Sequence, residues 1–126
     1  MGLLLENLTG KVIKAYFNVF NKLGFGFLEK VYENALCIEL LNSGIYFEKQ
    51  CPIQVFYYDQ KVGIYYADII VDDQLIIEIK AAESLRDEHE CQLINYLRAT
   101  NIEVGLLLNF GKKPEFRRKI FINNNK

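Results

Sequence analysis

Three charged residues stand where a strand pattern calls for apolar ones. In "ADIIVDDQLIIEIKA", residues 67–81, Asp68, Glu78 and Lys80 interrupt runs of Ile, Val and Leu. Side chains alternate along a strand, so Leu75, Ile77 and Ile79 point one way and Ile76, Glu78 and Lys80 the other. A carboxylate and an ammonium on one face of a core strand cost free energy to desolvate unless something offsets it. A hairpin closed by a three-residue loop, Asp72-Asp73-Gln74, would set Val71 opposite Leu75, Ile70 opposite Ile76 and Asp68 opposite Glu78. Directly opposed residues have Cβ atoms about 4.5–5.5 Å apart and project from one face. A two-residue loop would shift that register by one and leave the two acids diagonal or apart.

Two carboxylates that close repel, and one takes up a proton unless a cation sits between them. Mg²⁺ or Mn²⁺ is the expected cation, because Mg²⁺ prefers oxygen ligands, binds through one or two carboxylates and keeps waters. A lysine beside such an ion can orient or deprotonate an attacking water, which is chemistry suited to phosphodiester hydrolysis. Taken alone, Glu78-x-Lys80 fits a solvated face with a weak ion pair better than a site. The flanking residues shift that balance. Ala81 and Ala82 leave room at the strand end, and Asp68 stands in an otherwise apolar "ADIIV".

These residues need elements to hold them. "TGKVIKAYFNVFNKLG" spaces Val12, Tyr16, Val19, Phe20 and Leu23 as one helix face, with Gly24 placed to stop it. "FLEKVYENALCIELLNSG" repeats the pattern through Leu28, Val31, Tyr32, Ala35, Leu36 and Leu40 and closes at Gly44. Three strands follow in "FEKQCPIQVFYY", "VGIYYADIIV" and "QLIIEIKAA", with turns at Asp59-Gln60 and Asp72-Asp73. "RDEHECQLINYLRAT" returns to helical spacing, with either Cys91, Ile94 and Leu97 or Leu93 and Leu97 inward. "EVGLLLNF" and "FRRKIFI" read as two last strands. The order α-α-β-β-β-α-β-β predicts an α/β fold, a mixed central sheet flanked by helices.

The chain has 126 residues, 51% hydrophobic and 25% charged, with a net charge of -1. That suits one soluble domain, residues 1–126, and rules out a disordered or membrane-spanning class. The start "MGLLLENLTGK" carries no leader pattern, and three widely spaced cysteines (Cys37, Cys51, Cys91) make no C-x-x-C pair. Both points suggest a reducing cytoplasm and no membrane, with the thiols read as buried hydrophobes. The balanced charge is no nucleic-acid footprint. Locally, however, "GKKPEFRRK" gathers Lys112, Lys113, Arg117 and Arg118, either to protect an edge strand or to track a phosphate backbone.

"ADIIVDDQLIIEIKA" resembles the D…(D/E)-x-K core of the PD-(D/E)xK nuclease superfamily, whose restriction-endonuclease-like core has the element order above. "QLINY" resembles the Q-x-x-x-Y element of its RecB-like exonuclease branch, with Gln92 and Tyr96 one turn apart on a helix. "GFGFLEKVYENAL", "HECQLINYLRAT" and "VGLLLNFG" extend the similarity to the small GxxExxxR proteins, from about Gly24 to Gly111. The resemblance implies a metal-dependent nuclease acting on DNA rather than RNA, alone, as a homodimer or with a partner protein. It implies Asp68, Glu78, Glu29 and the Ile79 carbonyl as metal ligands, with Lys80 catalytic and Gln92 and Tyr96 steadying the site. One departure is visible, since Glu33 stands where that pattern has arginine. The rival reading is a non-catalytic nucleic-acid-binding or regulatory module that kept the fold. The remaining motif residues have plainer roles: His89 reads as helix-start surface, and Gly24 and Gly26 as an interhelical turn.

Overall fold

A computed structural model describes residues 5–126. Two helices, α1 (Glu6–Leu23) and α2 (Glu29–Asn42), lead into three strands, β1 (Phe47–Tyr57), β2 (Gln60–Val71) and β3 (Leu75–Lys80). A crossover helix, α3 (Asp87–Arg98), then precedes β4 (Val104–Phe110), β5 (Pro114–Ile120) and a 3₁₀ turn, Asn123–Asn125. The five strands form one mixed sheet in the order β1-β2-β3-β4-β5, parallel only between β3 and β4. That single parallel pair is the one joined by a helix, as a parallel connection requires. Among the described residues no helix is long and apolar enough to cross a membrane.

The sheet buries both faces. On one, Ile69, Val71, Leu75, Ile77 and Ile79 pack with Val12, Tyr16 and Val19 of α1 and Tyr32, Leu36 and Leu40 of α2. On the other, Ile53, Ala67, Ile76 and Leu107 pack with Leu93, Tyr96 and Leu97 of α3. Strands β3 and β4 are covered on both sides, so they read as continuous apolar runs. The α3 seam therefore follows the Leu93/Leu97 alternative; Cys91 is exposed and Cys51 half-buried, leaving Cys37 as the buried thiol of the three. In α2 the expected stripe is displaced. Leu28 and Val31 are exposed, while Glu33 is 4% exposed.

The second turn falls where expected, and the first falls one residue earlier than Asp59-Gln60, with Gln60 already paired in β2. Tyr58 and Asp59 both have positive φ, the conformation of a two-residue hairpin turn whose twist matches the strands. Asp72-Asp73-Gln74 makes the three-residue loop, and Val71↔Leu75, Ile70↔Ile76 and Ile69↔Ile77 are paired. Beyond Ile69 the regular β2–β3 ladder ends. Most of β2 therefore runs out with β1 as a two-stranded arm, paired from Phe47↔Val71 to Tyr57↔Gln60.

Candidate active site

The site forms where that ladder stops. Ala67 and Ile69 are two residues apart and should share a face, yet they pack into opposite cores. The alternation of β2 inverts across Asp68, and opposite this point Gln50 of β1 adopts φ 50, a left-handed conformation. Freed from the regular ladder, the two strands are tied by side chains. The Asp68 N–H donates to Glu78 Oε2 at 2.8 Å, and the Ile79 N–H donates to Asp68 Oδ2 at 2.8 Å. Each carboxylate thus replaces a backbone acceptor, which satisfies N–H groups that burial would otherwise leave unpaired.

Both acids resist ionisation. Burial, then the charge of Asp68, pushes the Glu78 carboxyl up to about 8, and burial raises Asp68 above the ordinary carboxylate range. Glu78 is 4% exposed, so little water reaches it. Two residues on, Lys80 Nζ lies 3.4 Å from Gln92 Oε1, and Gln92 Nε2 donates to the Tyr96 hydroxyl at 3.0 Å. Gln92 and Tyr96, four apart on α3, share a face as helical spacing requires, and through Gln92 that face reaches the strand lysine. Glu29, the first residue of α2, accepts the Ala81 N–H through Oε2 at 3.4 Å, at the end of β3. It shares an open cleft of about 510 Å³ with Asp68, Glu33, Gln50, Lys30 and Ala81.

Glu33 was visible in the sequence only as a departure from a pattern, and Asn109 and Glu115 were not flagged at all. Glu33 is held by Lys30 at 3.1 Å, Lys49 at 3.6 Å and Gln50 Nε2 at 3.0 Å. Its charge is compensated by residues from both α2 and β1, and it packs on the Asp68 side of the cleft. Asn109, fully buried, exchanges two hydrogen bonds with the Ala82 backbone at 2.9 and 3.0 Å and so fixes the chain leaving β3. Glu115 accepts the Leu85 N–H at 2.9 Å, tying down the same loop. A polar residue ending an apolar strand, as in "LLLNF", is the available signal for Asn109. His89 serves the start of α3, its Nδ1 accepting the Arg86 N–H at 3.1 Å.

The four basic tail residues are not brought together. Lys112 and Lys113 are exposed on the turn after β4, at the sheet end where Lys80 pairs with Asn109. Arg117 and Arg118 lie on β5 opposite Leu107 and Leu106, on alternating faces, and Arg117 pairs with Glu115 at 2.9 Å.

The donor set is hard oxygen: the Asp68 and Glu78 carboxylates tied across the break, which suit a small divalent cation bound through one or two carboxylates with waters completing the shell. Among the described residues no group of three or more His, Cys, Asp or Glu side chains is gathered as a ready metal cage. Glu29 lines the same cleft as Asp68, and its charge adds to the rise of the Glu78 carboxyl.

A mixed sheet that splits over an Asp…Glu-x-Lys constellation, with helices on both faces, is an α/β fold with a charged break at its centre. The sequence matches the PD-(D/E)XK nuclease superfamily over residues 6–119, and the chain belongs to that superfamily. Its members are typically hydrolytic nucleases and generally use divalent metal ions such as Mg²⁺. Among solved structures, the crystal structure of SSO0001 is similar at 19% identity and a TM-score of 0.58, over 74% of this chain and 50% of that one. This chain thus spans half the length of that protein, and the likeness concerns the fold. None of the curated proteins matches the sequence.

Proposed function

We propose that residues 1–126 act as one nuclease-like domain hydrolysing phosphodiester bonds in nucleic acid, DNA ahead of RNA, with Mg²⁺ or Mn²⁺ as cofactor. The observation that carries this reading is the pair of bonds at the break in the ladder, Asp68 N–H to the Glu78 carboxylate and Ile79 N–H to the Asp68 carboxylate, with Lys80 two residues beyond Glu78. In this reading Asp68, Glu78 and the Ile79 carbonyl hold the cation, and Glu29 approaches from α2. The bound ion would serve as Lewis acid and lower the pKa of a ligated water. Lys80 faces the reacting phosphate, where its ammonium orients the water and opposes the charge that develops in the transition state. Gln92 holds Lys80 Nζ, and Tyr96 holds Gln92, so the lysine is aimed before substrate arrives. Lys112 and Lys113 steer the backbone toward that end of the sheet.

The second reading is a binding module that kept the fold without catalysis. Incubation with single- and double-stranded DNA and RNA, in Mg²⁺, Mn²⁺ or EDTA, separates the two. Cleavage by wild type in metal, abolished by EDTA and by Lys80→Ala, is the expected result. Binding without cleavage under every metal condition would hand the protein to the second reading.

A further inference from the structure

On the α3 side of the sheet, the β1–β2 arm stands off α3 and leaves a groove of about 1130 Å³. Its walls carry Phe56 and Tyr65 from the arm and Gln92, Asn95, Tyr96 and Arg98 from α3. Phe56 is 57% exposed and Tyr65 51% exposed, although both rings are large and apolar-faced. The strand register slips by one between Val55 and Phe56, the kind of irregularity that re-aims a side chain. Tyr65 meets the ring of Tyr96 at 5.8 Å and 45°.

The groove borders the candidate active site through Gln92, which lines it and reaches Lys80. Tyr96 is both a wall of the groove and the partner of Gln92, which in turn reaches Lys80. A ligand lying in the groove would therefore leave it beside the lysine. The rings offer flat apolar faces, while the α3 wall offers the amides of Gln92 and Asn95 and the guanidinium of Arg98, with His89 and the Glu88 carboxylate at the start of the helix. That combination suits a chain of flat bases on a charged backbone. It does not suit intact duplex, whose base faces are hidden within the stack.

Resting on the nuclease reading, we propose that this groove takes an unpaired nucleic-acid strand, its bases stacked on Tyr65 and Phe56 and its backbone led toward Lys80. Stacking contributes about 1–3 kcal/mol per base, so loss of one ring corresponds to roughly a 5- to 150-fold drop in affinity at tenfold per 1.4 kcal/mol.

The test is binding of fluorescein-labelled DNA and RNA oligonucleotides, single-stranded and duplex, followed by anisotropy in EDTA so that nothing is cleaved. Wild type, Tyr65→Ala, Phe56→Ala and Tyr65→Phe are compared after melts confirm that each is folded. The expected result is a preference for single strands that falls at least fivefold in Tyr65→Ala and returns in Tyr65→Phe. No single-strand binding by wild type, or equal single-strand affinity in wild type and Tyr65→Ala, would overturn the proposal. So would a change in oligomeric state on Tyr65→Ala, measured by light scattering, which would make the groove a contact between copies. Because the assay needs no turnover, ring-dependent binding without cleavage sinks only the nuclease reading, and cleavage with ring-independent binding sinks only this one.

Discussion

Replacing Glu78 with glutamine should make the metal-free protein more stable at pH 8 while leaving it nearly unchanged at pH 4. The folded protein holds the Glu78 proton up to about 8, against 4.5 for the free side chain, because the carboxyl is buried and faces Asp68. Below about 4.5 both folded and unfolded states are protonated, and the stabilisation from this raised pKa is fully present. As pH rises from 4.5 toward 8 the unfolded chain releases its proton first, and that stability is lost. The difference, 8 less 4.5, at 1.36 kcal/mol per pH unit is on the order of 5 kcal/mol across the window. Asp68, raised by burial as well, tilts stability in the same direction. A domain is stable by only about 5–15 kcal/mol in all, so the effect is measurable. Glutamine keeps an oxygen to accept the Asp68 N–H but has no proton to lose. Urea melts in EDTA at pH 5, 6, 7 and 8 should show wild type falling by several kcal/mol relative to Glu78→Gln. Parallel curves for the two proteins would refute the reasoning, because they would mean that Glu78 is ionised or solvated throughout.

Three further outcomes follow from the same geometry. Lys80→Ala should reduce single-turnover cleavage by roughly 100-fold or more while sparing most binding, and Lys80→Met should match it because charge, not volume, is lost. Replacing Lys112 and Lys113 by serine should weaken binding and flatten its dependence on salt by up to about 0.9 per lysine in log–log slope. Arg117→Ala, whose guanidinium is engaged by Glu115, should do less, and an unchanged slope in the lysine variant would remove the turn from the interface. Gly111→Ala should destabilise by roughly 1–3 kcal/mol in thermal melts, because a Cβ there would sit 2.7 Å from the Ala82 carbonyl oxygen.

Much of the frame was readable because it rests on local rules. The three-residue loop set the hairpin register, and the pairs Val71↔Leu75 and Ile70↔Ile76 follow from it. The Ile69, Val71, Leu75, Ile77 and Ile79 face is the core that period-two alternation requires. What escaped is non-local. Alternation cannot reveal that β2 inverts at Asp68, so the acids meet through the Asp68 and Ile79 backbone N–H groups and not as an ordinary cross-strand pair. Glu33 is buried in a helix whose stripe looked apolar because Lys49 and Gln50, sixteen and seventeen residues on, compensate it. Leu28 and Val31 are exposed, since the chain enters α2 through the Gly24–Leu28 loop beside the cleft. The Gln92–Tyr96 pairing needed only helical spacing, whereas its link to Lys80 needed α3 to cross beneath β3.

The most direct measurement is a calorimetric titration of Mn²⁺ into the purified protein at pH 7, in buffers of different ionisation enthalpy. If Asp68 and Glu78 jointly hold the cation, one ion should bind per chain and displace close to one proton, because a carboxyl at about 8 is mostly protonated at that pH. Asp68→Asn should lose most of the affinity. Binding that releases no proton, or that is as tight in Asp68→Asn as in wild type, would contradict a cation site at this carboxylate pair.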